Sequence, residues 1–180
     1  MPELQTARLK LMALSVQHLQ LYLTFPDQLE QILGITLSRD ILTDTVQRAI
    51  RMKLSKMAHA NPKDHAWYTY WLVVVMAQRH GAALAGFKGL PDDRGEVEIG
   101  YGLDPAFQGQ GFTTEAVRAL IAWAFETPAC RAIIADPKKS NRASMRVLAK
   151  AGMQPYAETT EEICWRIDNP SINSSNFSAQ

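Results

Sequence analysis

Three apolar runs separated only by tight turns constrain this chain most: WYTYWLVVVMAQ from Trp67, AALAGFKGL from Ala82 and EVEIGYGL from Glu96. The turns between them, RHG and PDDRG, are too short for a crossover, so the runs read as hairpin-linked antiparallel strands at the centre of a sheet. The third run leads through DPAFQGQGFTTEA, residues 104 to 116, into a helix carrying Ala116, Leu120, Trp123 and Ala124. Upstream, residues 6 to 14 alternate as a first strand with Leu9 and Leu11 inward and Arg8 and Lys10 outward, ending at Ser15, a helix N-cap. Helical spacing follows in Val16, Leu19 and Leu23, then Leu29, Ile32 and Leu33, with Pro26 at the break and Gly34 at the stop. Asp44 is expected to cap a longer amphipathic helix, with Val46, Ile50, Leu54 and Met57 on one face and Asn61-Pro62 at its end. Downstream come a strand at RAIIAD, a helix over 141–151, and two strands around MQPYAETT and EEICWRID. The class is α/β, with a mixed, mostly antiparallel central sheet and helices on both faces.

At 180 residues the chain fits one domain, placed over 1–169, with the polar segment 170–180 as a flexible tail. Nineteen basic residues against 18 acidic ones leave a formal charge of +1, so nothing draws the whole molecule to nucleic acid or an anionic membrane. Any anion site must be local. Cys130 and Cys164 lack C-x-x-C spacing, which argues for two inert cytosolic thiols rather than zinc ligands or a disulfide. His59 and His65 have no further ligand at metal-binding distance in sequence, and no metal is expected. MPELQTARLKLMAL lacks the features of a signal peptide, and WLVVVMA is far short of the roughly 20 residues that cross a bilayer, so the chain reads as cytoplasmic.

The chemistry concentrates at the two glycines, Gly109 and Gly111, between strand and helix. A helix start offers unpaired N–H groups and a positive dipole end, and glycines before it let a phosphate come close. A P-loop would need Lys followed by Ser or Thr after the second glycine, where this chain has Phe112-Thr113. A dinucleotide fingerprint would need a third glycine, where Thr114 stands, and a parallel strand before the turn. Both readings fail.

Gln108-Gly109-Gln110-Gly111-Phe112-Thr113 resembles the Q/R-x-x-G-x-G/A signature of the GNAT superfamily of acyl-CoA-dependent N-acetyltransferases, departing only at Thr113. EVEIGYGLDP resembles that family's fourth strand, and NRASMRVLAKAGM its last conserved helix, through Asn141, Ser144, Val147, Lys150, Gly152 and Met153. TARLKLMAL looks like the opening strand of the ribosomal-protein alanine acetyltransferase branch. The resemblance implies a splay beside the strand of residues 96 to 103, with acetyl-CoA bound in it. Its pyrophosphate would lie on the N–H groups of residues 109 to 114 (Gly109, Gln110, Gly111, Phe112, Thr113, Thr114). Gln108 and Asn141 would assist, and a backbone N–H near Leu103 would polarise the thioester carbonyl.

Acetylation of an amine needs the amine deprotonated, and a positioned base contributes roughly 10²–10⁴-fold. Strand alternation puts Glu96 and Glu98 on one face, where like charges would raise one of their pKa values toward a useful range. Glu98 is the first candidate for the base and Glu96 the second, with Glu158, Glu161 and Glu162 as further candidates and a solvated strand face as the plain alternative. The tyrosine that many family members use as proton donor is replaced here by Leu148. Ser144 matches the serine of the alanine acetyltransferase branch whose hydroxyl donates to the departing sulfur, or else bonds a carbonyl four residues back. The acceptor is an amine, either a peptide N-terminus or a small molecule such as an antibiotic or polyamine, walled by residues 16 to 60. A non-catalytic CoA-binding module stands as the other alternative, and the chain is a monomer or homodimer.

Overall fold

A computed structural model describes residues 1–173. In chain order these form β1 (Glu3–Gln5), β2 (Leu9–Ala13), α1 (Val16–Thr24), α2 (Pro26–Leu33), β3 (Thr36–Leu37), α3 (Asp44–His59), α4 (His65–Tyr68), β4 (Trp71–Val75), β5 (His80–Phe87) and β6 (Glu96–Leu103). Then follow α5 (Phe112–Phe125), β7 (Ala132–Ala135), α6 (Arg142–Ala151), β8 (Gln154–Glu158), β9 (Ile163–Asp168) and α7 (Pro170–Asn173). The strands make one sheet in the order β1-β2-β4-β5-β6-β7-β9-β8, with β3 beside β5. Among the described residues, only β3–β5 and β6–β7 are parallel. Mixed α/β architecture with a mostly antiparallel sheet is as the sequence implies.

The sheet separates two apolar layers. On one face, α5 packs Val117, Leu120 and Ile121 against Val73, Val75, Val97, Ile99 and Ile133, and α6 adds Leu148. On the other, α1 to α3 bring Leu19, Tyr22, Leu29, Ile50 and Met57 onto Leu72, Val74 and Leu84. Successive residues of β4 thus serve opposite layers, which is why its run is apolar throughout.

Several boundaries differ from the sequence reading. Ser15 does cap α1, accepting from His18 N–H at 3.1 Å. α3, however, is capped by Thr43, whose hydroxyl accepts from Val46 N–H, and Asp44 is the first helical residue, where its charge favours the dipole. The central strand begins at Trp71 instead of Trp67, because residues 65–68 close a helical turn that buries Trp67 against Phe87 and Trp123. The first turn lies at Met76–Arg79, with Arg79 left-handed, so His80 and Gly81 of the expected turn open β5. β1 and β3 were not expected. Pro170–Asn173 make a short helical turn, and the remainder of the segment read as a tail lies outside the described residues.

Candidate active site

β6 places the site because it changes partner halfway. Glu96–Glu98 pair with β7, whereas Ile99–Leu103 pair with β5 alone, so β6 and β7 diverge beyond Glu98. Lys88 N–H donates to the Glu98 carbonyl and Asp104 N–H to that of Ala82, so even-numbered residues turn their backbone groups toward β5. Alternation then turns the N–H and C=O of Tyr101 and Leu103 into the splay.

The chain leaves β6 through a tightly held corner. Asp104 Oδ1 accepts from Ala106 N–H at 2.8 Å, and its other oxygen accepts from the Ser38 hydroxyl. Those two hydrogen bonds, with Ser38's the larger, hold the Asp104 carboxyl below its ordinary range. His80 Nε2 is 2.8 Å from the same Ser38 oxygen, and Phe107 stacks on the His80 ring. Past this corner Gly109 and Gly111 adopt left-handed φ of 74° and 80°, which side chains rarely tolerate. A Cβ at Gly109 would meet nothing within 4 Å.

α5 starts at Phe112 with Gly111 as N-cap and no side-chain cap. Glu115 N–H is the first amide to find a carbonyl, that of Gly111; among the described residues, the N–H groups of residues 109 to 114 donate to no protein acceptor. Six consecutive donors are therefore left without a protein partner at the positive end of a 14-residue helix. Arg8 braces the loop from outside, with Nη1 on the Gln110 carbonyl at 2.9 Å, its guanidinium 4.7 Å above the Phe112 ring, and Nη2 2.6 Å from Glu115.

A cavity of about 370 Å³ joins these parts. Leu103, Gln108, Gly109, Gly111, Phe112, Thr113, Thr114, Asn141 and Ser144 of the sequence reading all line it, together with Tyr101, Gly102, Arg146 and Lys150. No carboxylate lines it, and the two cations do, so its donors suit an anionic group such as a phosphate. Gln110 is absent from the lining, and its carbonyl is taken by Arg8. Asn141 caps α6, Oδ1 accepting from Ser144 N–H at 3.0 Å.

Ser144 Oγ is 2.8 Å from the Tyr101 hydroxyl and makes no bond to the carbonyl four residues back. Alternation along β6 puts Tyr101 on the face opposite Glu96 and Glu98, but nothing in the sequence announces that α6 stands beside it. Burial pushes its pKa up to about 12, against a smaller opposing effect of the Ser144 hydrogen bond. Leu148, where a tyrosine was sought, is fully buried in the core.

Glu96 and Glu98 share the opposite face and do not line the cavity. Each has its own cation: Arg166 for Glu96 and Lys88 for Glu98. Their expected mutual repulsion is therefore not the dominant contact of either. Beyond Glu98 this face is bare, since a Cβ on Gly100 or Gly102 would meet nothing within 4 Å. Glu158 is 71% exposed and ion-pairs with Lys139 at 3.6 Å, and Glu161 and Glu162 are exposed or partly so in the β8–β9 turn. Cys130 is buried and its pKa pushed up to about 11, while the Asp136 carboxylate holds the Cys164 thiol above its usual range. Among the described residues no group of three or more His, Cys, Asp or Glu is placed to hold a metal ion, and no helix is long and apolar enough to cross a membrane.

A sequence profile of the acetyltransferase (GNAT) domain matches residues 8–154. The N-acetyltransferase YjdG of Bacillus subtilis is 30% identical over 95 residues, 53% of this chain and 56% of that protein. The chain spans from 30% to 65% of the length of the curated relatives it matches. Among solved structures, the ribosomal-protein-S5-alanine acetyltransferase of Vibrio fischeri superposes with a TM-score of 0.66 at 17% identity, over 94% of this chain and 98% of that one. RimL, a ribosomal L7/L12 alpha-N-protein acetyltransferase solved with coenzyme A, gives 0.65 at 15% identity, over 93% and 98%.

Proposed function

The chain belongs to the GNAT acetyltransferase family, and from that membership we propose that it is an acetyl-CoA-dependent N-acetyltransferase acting on an exposed primary amine, foremost the N-terminus of a peptide or protein. The carrying observation is the row of unpartnered N–H groups at residues 109 to 114, all but Gln110 in the lining of a cavity with two cations and no carboxylate. Bound acetyl-CoA would supply the acetyl thioester. The N–H groups of residues 109 to 114, with Arg146 and Lys150, would hold its phosphates. A recess of about 640 Å³ adjoins this cavity through Gly111, Thr114 and Lys150 and adds Arg118 as a cation, besides Arg8 paired with Glu115. The backbone N–H of Tyr101 or Leu103 would point at the carbonyl oxygen, and Ser144 would donate to the sulfur.

The acceptor would approach the other face, where Gly100 and Gly102 leave the sheet bare and Glu98 stands nearest as base. Lys88, 65% exposed by its side chain, pairs with that carboxylate and has to yield as the amine arrives. An open floor suits an extended chain end better than an enclosed pocket would, and both superposed neighbours carry names of protein acetyltransferases. With both thiols held protonated, transfer would be direct, without a cysteinyl carrier.

Calorimetry with acetyl-CoA tests the cradle. Wild-type protein should bind, and Gly109→Ala should weaken binding by about tenfold or more, the worth of one charge-assisted hydrogen bond. Left-handed strain should cost that variant only about 1 kcal/mol of stability. No binding by the wild type would end this reading. Binding without thiol release on any of a set of peptides with free N-termini, or on spermidine, would favour a non-catalytic CoA-binding module.

A further inference from the structure

We propose that Tyr101 is a positioning residue whose hydroxyl donates to Ser144 Oγ and so leaves the Ser144 hydrogen free for the cofactor sulfur. This rests on reading the 370 Å³ cavity as the acetyl-CoA site. A serine hydroxyl has one hydrogen and two lone pairs, so what it offers a ligand depends on what already occupies it. In a helix its usual occupant is the carbonyl four residues back, which takes the hydrogen. Ser144 does not make that bond. Its oxygen instead lies 2.8 Å from Tyr101 Oη, the nearer of two acceptors for the phenol hydrogen, the other being the Ser144 carbonyl at 3.2 Å. Both residues line the cavity.

The phenol is suited to the donor's part. It is partly buried against the larger of the two apolar layers, and burial keeps it un-ionised well above neutral pH. The strand thereby supplies, through Ser144, a hydroxyl that the helix lacks at Leu148. The role is one of hydrogen bonding alone: charge developing on sulfur is met by the Ser144 hydrogen, and no proton leaves Tyr101.

Coenzyme A itself is the probe, since its thiol titrates without any acceptor. A hydrogen bond that strengthens as sulfur becomes negative lowers the bound thiol's titration midpoint below that of free coenzyme A. Arg146 and Lys150 on α6, Glu98 on β6 and Asp136 after β7 also act on that midpoint, but equally in wild type and variants. Thiolate absorbance of the complex, followed against pH, should show Tyr101→Phe moving the midpoint up by about one unit. Ser144→Ala should do the same, and the double variant should move no further than Ser144→Ala alone, because Tyr101 acts through it. Thermal melts of the free proteins report whether Tyr101→Phe has loosened the fold. An unchanged midpoint in a folded Tyr101→Phe that binds coenzyme A overturns the proposal while leaving the acetyl-CoA site in place. A full further shift on adding Tyr101→Phe to Ser144→Ala also overturns it. If wild-type protein binds no coenzyme A, both this role and the proposed activity fall together.

Discussion

Glu96 and Glu98 differ less in sequence than in what they meet. Glu96 answers Arg166, which also holds Asp168 at 2.8 Å, so it belongs to a strand-to-strand clamp between β6 and β9. Glu98 answers Lys88, a partner mostly in solvent and able to withdraw, beside the bare floor at Gly100. Glu98→Gln should therefore lower kcat by roughly 10²-fold or more with acetyl-CoA affinity unchanged. Glu96→Gln should cost stability, seen as a lower Tm, while turnover falls little, because it leaves Arg166 with Asp168 alone and releases the clamp on β6. The reverse pattern in steady-state kinetics and melting would exchange their roles. The shared face of the two glutamates is legible from alternation alone, but their cations are not: Lys88 lies across a hairpin and Arg166 seventy residues away.

At the level of elements, α5 and α6 begin in opposite ways. α6 is closed by a side chain, Asn141 Oδ1 on Ser144 N–H, whereas α5 has a left-handed glycine and leaves its donors open. An open helix start is the costlier arrangement unless a ligand completes it. Asn141→Ala should lose about 1 kcal/mol in denaturant unfolding and also weaken acetyl-CoA binding by displacing Ser144. Asn141→Asp should restore the stability, since Asp caps equally well, but not the binding, because it sets a negative charge on the phosphate side of the cavity. Equal rescue of both would make Asn141 a cap and nothing more. Glycine spacing, the Ser15 cap and the Gly34 stop are short-range signals, and they mark α1, α2 and α5 correctly. Boundaries failed where burial decided them: Trp67 and Tyr68 have strand-like side chains, yet Trp67 gains more by closing a turn onto Phe87 and Trp123. β1 and β3, three and two residues long, exist only because neighbouring strands offer them hydrogen bonds.

Across the whole molecule, a partly buried charge ties the helical layer to the sheet. Lys53 of α3 reaches the carbonyls of Phe87 at 2.7 Å and Tyr68 at 3.3 Å, with Nζ 4.6 Å from the Tyr70 ring. Burial first, then Lys56 and Lys88, lower its pKa to about 7. Between that value and the roughly 10.4 of an unfolded lysine, the unfolded chain binds more protons, so stability should rise with pH from about 7 to 10. Lys53→Met should flatten that rise in pH-dependent melts; an unaltered slope would mean that the ammonium is already well accommodated. The sequence alone determined the α/β class, the antiparallel meander, the glycine cradle and most of the residues that line the cavity, because periodicity, turn chemistry and a contiguous loop are local properties. Only the tertiary structure decided the splay after Glu98, the meeting of Tyr101 with Ser144, the cations of the two glutamates and the exclusion of Leu148 from the cavity. Each of those depends on which strand or helix lies alongside, and that is settled by burial summed over the whole sheet rather than by any neighbouring residue.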